Sequence, residues 1–106
     1  MIAVVYRWRL KPDRRDAFAA AWAEATGALV AHGSMGSALF EGPDGVSWAI
    51  ARWPDAETRA HAFASLEGDV AARMEACVAE RLDAVVLDLV QDLWDSRANA
   101  EAGSRH

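Results

Sequence analysis

Few side chains in this 106-residue chain have the types and spacing that chemistry needs. Tyr6 and Trp8 stand two apart, and Phe18 and Trp22 stand four apart. A phenol and an indole each join a flat apolar body to a polar tip. With Phe63 they could line a cleft for a flat aromatic ligand. Histidine is the residue type suited to proton abstraction near neutral pH, and His61 is the candidate general base, one helical turn before Ser65. Tyr6 is the second candidate catalytic group. Arg52 could grip a substrate carboxylate through two parallel hydrogen bonds. Trp8, Phe18, Trp22, Arg52 and Phe63 are thus the candidate substrate-binding residues. Each has a plainer alternative. Such an aromatic set more often forms a core than a cleft, and a helix histidine more often faces solvent.

The elements that must position these groups can be read from periodicity. Ile2, Val4, Tyr6 and Trp8 alternate with Ala3, Val5, Arg7 and Arg9, which predicts a strand over about residues 2–9. Its second face begins apolar and ends in two arginines. A one-sided sheet would be polar there throughout, so both sides are expected to be covered. Lys11-Pro12-Asp13 breaks the strand, with Asp13 expected as N-cap. A helix follows over about residues 14–31, with Phe18, Trp22, Ala25 and Leu29 as its apolar stripe. His32-Gly33 ends it. Residues 34–41 read as a strand with a bulge at Met35-Gly36. Gly42-Pro43-Asp44-Gly45 is a hairpin turn, and residues 46–53 form the third strand. Asp55 caps a helix to Leu66 with Ala56, Ala60 and Phe63 inward. Asp69 caps a further helical stretch carrying Val70, Met74, Cys77 and Val78 and closing at Leu82. Residues 84–93 read as the fourth strand.

This order, β-α-β-β-α-β, predicts an α+β ferredoxin-like fold with a four-stranded antiparallel sheet and helices on one face. The domain is expected over residues 1–95, with a polar tail over 96–106. A monomer would leave the other face as an exposed apolar patch, so a homodimer with its sheets packed face to face is expected. A domain this small buries only roughly 60–70% of its unfolded surface, which adds to the case for a dimer.

The remaining residues exclude more than they assign. Arg7, Arg9 and Arg52 share strand faces, and Asp88 and Asp92 share one face of the fourth strand. An Arg7–Asp88 pair is plausible, as a network fixing register or as part of an anion site. Trp48 and the Trp53-Pro54 step read as aromatic plugs or dimer contacts. Cys77 stands among apolar residues at helical spacing and reads as a buried thiol. No Cys or His cluster has metal-ligand spacing, and no Gly-rich phosphate loop is present. A net charge of −5 argues against nucleic acid or anionic lipid as partner. No apolar run approaches a membrane span, no leader sequence is visible, and a single cysteine fits a reducing cytoplasm.

Tyr6-Arg7-Trp8-Arg9-Leu10-Lys11-Pro12, the helix with Phe18 and Trp22, the Gly36-Ser37 strand and Trp53-Pro54 together resemble the antibiotic biosynthesis monooxygenase-like family, of the dimeric α+β barrel superfamily. The resemblance spans about residues 1–93. It implies a homodimeric barrel, one ligand site per protomer between sheet and helices, and cofactor-independent oxygenation of a small aromatic or polyketide-like substrate, with no cofactor or metal. In such chemistry the substrate binds as its anion and reacts with dioxygen itself, so a base and hydrogen-bond donors suffice. The superfamily also includes isomerases and haem-degrading enzymes. The haem-degrading pattern has an Asn on the first strand, a Trp in the second helix and a later His. Here Tyr6 and Arg73 stand at the first and last of these positions, the second helix lacks Trp, and the lone Asn is Asn99. A non-catalytic ligand-binding or stress-response module, or an isomerase or cyclase on a similar ligand, remains the alternative.

Overall fold

The computed structural model describes residues 1–66 and 68–94. The elements are β1 (Ile2–Leu10), α1 (Arg15–Val30), β2 (Ser37–Glu41), β3 (Val46–Trp53), α2 (Ala56–Ala64), α3 (Gly68–Ala76), β4 (Val78–Arg81) and β5 (Val85–Asp88). The sheet is antiparallel and five-stranded, in the order β2-β3-β1-β4, with β5 also on β1. The α+β ferredoxin-like arrangement is as expected. The expected tail, residues 96–106, lies outside the described residues.

β1 owes its central place to alternation. Ile2, Val4, Tyr6 and Trp8 face the helices opposite Trp53, Ala51, Ala49 and Ser47 of β3. Ala3, Val5, Arg7 and Arg9 face the other way, opposite Arg52, Ile50, Trp48 and Val46. The β2–β3 hairpin turns at Asp44-Gly45, where Gly45 has φ 72°. A left-handed residue suits such a turn, and glycine adopts it without steric cost. The bulge expected at Met35-Gly36 is present: the Met35 N–H donates to the Arg52 carbonyl, and the Gly36 carbonyl accepts from the Arg52 N–H. Two residues thus oppose one.

α1 buries Phe18, Ala21, Ala25 and Leu29, with Trp22 beside them half-buried. It ends with Ser34 N–H donating to the Leu29 carbonyl and Gly33 N–H to that of Val30. This bond pair closes a helix on a left-handed residue, here Gly33 at φ 104°. A Cβ on Gly33 would also meet Thr58 Cγ2 at 2.5 Å, so glycine lets α1 approach α2.

Several boundaries differ from expectation. Asp13 does not cap α1; it takes φ 61° in the preceding turn, and Arg14 precedes the helix without a side-chain cap. Asp55 does cap α2, accepting from the Thr58 N–H at 2.7 Å. Asp69 lies inside the first turn of α3, where Arg73 donates to it. The helix expected to reach Leu82 stops at Ala76, and residues 78–81 form β4. β1 has backbone groups along a second edge that must be satisfied, and this need outweighs the helix propensity of Ala79-Glu80-Arg81. The expected fourth strand over 84–93 is only β5, with Leu89 N–H still bonded to the Met1 carbonyl. α2 is turned from its expected phase. It presents Thr58, Arg59 and Ala62 inward, with Leu66 just beyond it on the same side, and leaves Ala56, Ala60 and Phe63 more exposed.

The core falls into two clusters. One gathers Ile2, Val4, Leu29, Ala51, Trp53 and Ala62; the other gathers Trp8, Phe18, Ala49 and Cys77. Tyr6 packs against both. Trp53 is only 1% exposed, and its indole N–H has no partner among the described residues. Trp53→Ala should therefore cost about 3–5 kcal/mol in urea unfolding. Trp53→Phe should cost less than half of that, because it keeps most of the ring and removes the orphaned donor. Equal losses would mean that the indole N–H contributes to folding.

Candidate functional site

The site is built where β1 is left without regular pairing. β4 runs against Trp8–Leu10 and β5 against Ile2–Val5. Leu82, Asp83 and Ala84 connect them opposite Tyr6 and Arg7. Three residues face two, and the edge bulges; bulges of this kind often lie beside functional sites. A cleft of about 310 Å³ opens here, lined by Tyr6, Arg7, Trp8, Arg59, Arg81, Leu82, Asp83 and Ala84.

Its back wall is the aromatic cluster. Tyr6 stacks on Trp8 with ring centroids 5.6 Å apart and planes 7° from parallel. Trp22 meets both edge-on, at 5.8 Å from Tyr6 and 5.2 Å from Trp8. Phe18 packs edge-on to Trp8 at 5.0 Å. The Trp22 indole N–H donates to Ser37 Oγ at 2.9 Å, and Ser37 Oγ also bonds Thr26 Oγ1 at 2.8 Å. The polar tip of Trp22 is thus satisfied away from the cleft.

Arg59 commands the phenol. Its Nε and Nη2 donate to Tyr6 Oη at 3.0 and 2.8 Å. Its guanidinium also lies 5.0 Å from the Phe63 ring centroid. A phenol oxygen accepts through two lone pairs and donates one proton. With Arg59 occupying the acceptor side, the Tyr6 hydroxyl proton is left to donate.

The structure brings together only part of the expected site. Tyr6 and Trp8 line the cleft, while Phe18 is buried behind them. Phe63 lies beside Arg59 and Trp53 on the outer part of α2. His61 is not at the phenol: its side chain is 80% exposed and its Nε2 lies 3.7 Å from Glu57 of the same helix. The phase of α2 puts Arg59 where a base was expected. Arg59 could have been found by placing the inner stripe of α2 through Ala62 and continuing it to Leu66 beyond the helix end. Arg81 was hidden in the expected helix, although it stands opposite Trp8 on the helix-facing side.

Arg52 is also elsewhere. It lies on the open sheet face and binds Asp92 at 2.6 Å. The Arg7–Asp88 pair is absent, because Asp88 stands opposite Ile2. Arg7 instead lies 5.4 Å over the Trp48 ring centroid and donates to the Asp83 carbonyl at 3.4 Å. Cys77 is buried, as expected. Among the described residues no three His, Cys, Asp or Glu side chains are grouped to hold a metal ion, and no helix is long and apolar enough to cross a membrane.

No family model and no curated protein matches the sequence. The fold does have solved relatives in shape. SnoaB from Streptomyces nogalater, a cofactor-independent oxygenase, superposes with a TM-score of 0.71 at 17% identity, over 89% of this chain and 97% of its own. Rv0793 from Mycobacterium tuberculosis gives 0.70 at 18%, over 88% and 98%. A Chloroflexus aurantiacus protein, provisionally described as an antibiotic biosynthesis monooxygenase, gives 0.74 at 17%, over 86% and 94%. The chain therefore has the ferredoxin-like fold shared by proteins named antibiotic biosynthesis monooxygenases.

The Arg52–Asp92 pair holds the segment after β5 against the sheet. The Asp92 carboxyl is held below the usual carboxylate range, first by the Trp94 N–H and then by Arg52. A carboxyl lowered in the folded state contributes stability above its unfolded pKa and loses it as pH falls through the folded value. Protection of the Trp94 amide from hydrogen exchange should therefore disappear in acid. Asp92→Asn should remove that acid dependence. Protection that persists in the variant and in acid would show that the pair does not hold the segment.

Proposed function

We propose that this chain is a cofactor-independent monooxygenase acting on a small aromatic or polyketide-like substrate. One observation carries the reading: a phenol gripped by an arginine, with its own proton free to donate, stands at the mouth of an aromatic-walled cleft between sheet and helices. The likeness in fold to SnoaB supports it. In the proposed reaction an activated ring methylene ionises to its enolate. The enolate carbon passes electrons to dioxygen and forms a carbon–oxygen bond. One oxygen atom stays as the new carbonyl, and the other leaves as water with the two hydrogens of the methylene. Tyr6 donates to the substrate oxyanion, and Arg59 holds Tyr6 in place. Deprotonation is driven by stabilising the enolate, with solvent taking the proton, and His61 has no part in it.

Oxygen uptake with a panel of anthrones, without added cofactor, tests this. Tyr6→Phe should slow uptake by about 100-fold, the usual effect of losing one oxyanion donor. His61→Ala should leave it unchanged. No uptake by the wild type across the panel would remove the oxygenase and favour a non-catalytic ligand-binding module. One feature already favours that second reading: Trp8, Phe18 and Trp22 pack on one another and fill much of the space beneath α1.

The proposal includes a homodimer in the cytoplasm. The open sheet face carries Phe40, Trp48, Val85 and Leu87, all exposed, and the following segment adds Leu93 and Trp94 at 80% and 72% exposure. The same face bears Arg7 and Arg9 beside Glu80. Both signs of charge around an apolar centre suit a self-complementary two-fold contact. Sedimentation at micromolar concentration should give a dimer, and Trp48→Glu should shift it toward monomer. A stable wild-type monomer would remove this part of the proposal.

A further inference from the structure

The cleft is cationic in a chain that is acidic overall. Lys and Arg number 11 against 16 Asp and Glu, yet Arg7, Arg59 and Arg81 all line this one cleft with Asp83 as its single acid. Arg81 shares its charge with Glu75, and Arg7 is engaged by the Asp83 carbonyl and the Trp48 face. Arg59 is different. It is half-buried, and its guanidinium lies 5.0 Å from the Phe63 ring centroid and 5.6 Å from that of Tyr6, but it makes no ion pair among the described residues; the hydrogen-bond partner of its Nε and Nη2 is the neutral Tyr6 hydroxyl. A guanidinium drawn partly out of water calls for an anion. Its remaining N–H groups are available to one, and the Tyr6 O–H is left for the enolate oxygen.

We infer that the cleft is a carboxylate subsite, and that the ligand is an aromatic acid whose carboxylate is bound by Arg59 and Arg81 while its ring lies against Tyr6 and Trp8. A planar carboxylate matches the fork of a guanidinium. Arg81 stands opposite Trp8 on the helix-facing side, so the two arginines reach the cleft from different elements. This deepens the proposed function by naming the acidic group its substrate carries, and it rests on that reading only for the reaction. Arg59 and Arg81 are specificity residues.

The test is binding, read by tryptophan fluorescence and calorimetry on the whole chain, with 1-hydroxy-2-naphthoate, its methyl ester and inorganic phosphate as probes. The acid should bind at least about tenfold more tightly than the ester, the scale of one charge-assisted contact. Phosphate should not displace it. Arg81→Gln should weaken the acid by about tenfold and leave the ester unchanged, and Arg59→Gln, which also frees Tyr6, should weaken the acid by about tenfold more than it weakens the ester. Arg59→Lys should recover part of the loss. Arg81 is largely exposed, so its variant decides the matter if Arg59→Gln fails to fold. Equal binding of acid and ester would overturn the subsite. So would an Arg81→Gln variant that keeps the acid preference, and displacement by phosphate would reduce the cleft to a general anion site. The two proposals fail separately. Acid binding without oxygen uptake keeps the subsite and removes the oxygenase. Uptake of neutral anthrones with no preference for acids keeps the oxygenase and removes the subsite.

Discussion

The two-edged pairing of β1 is the constraint on which the rest of the structure depends. Every backbone donor and acceptor of a central strand needs a partner. β3 supplies one edge in unbroken register from Ile2 to Arg9. The other edge is supplied by β4 and β5, which are four residues each. The extra residue between them cannot pair regularly, so the edge bulges opposite Tyr6 and Arg7. The cleft is thus a product of sheet register. The residues at its mouth are those that the bulge leaves beside a gap.

Register also separates the two faces of β1 into different physical roles. Tyr6 and Trp8 turn toward the helices and join the core, with Tyr6 at the seam between its two clusters. A polar tip at such a seam must be satisfied, and Arg59 from α2 does so. Arg7 and Arg9 turn the other way and are held by Trp48 and by Glu80. These contacts are exposed and individually weak. Arg7 thereby joins the cationic end of the open face to the apolar surface at Trp48, which stands opposite Phe40.

Much of this was legible in the sequence because the signals were local. The alternation of β1 and β3, the Asp44-Gly45 turn, the bulge at Met35-Gly36 and the Asp55 cap each depend on a few adjacent residues, and each stands where expected. The failures share a different cause. Val78–Arg81 continues the helical spacing of Val70 and Met74, and nothing local says that an unpaired edge of β1 is waiting for it. The bulge at Leu82–Ala84 is a mismatch between strands distant in sequence. The Arg52–Asp92 pair likewise depends on where the chain runs after β5.

The phase of α2 shows how far a small error of this kind can travel. A helix advances about 100° per residue. Ala56, Ala60 and Phe63 make an acceptable apolar stripe, and so do Thr58, Ala62 and Leu66, roughly one residue round. Leu66 decides between them by packing against the cluster of Ile2, Val4 and Trp53. His61 lies on neither stripe: it stands roughly 130° from the centre of the first and roughly 100° from that of the second. The observed phase leaves His61 exposed and brings Arg59 to the Tyr6 hydroxyl. A fixed cation stabilises negative charge without accepting a proton, so the group that α2 offers to the cleft is suited to holding an anion and not to abstracting a proton.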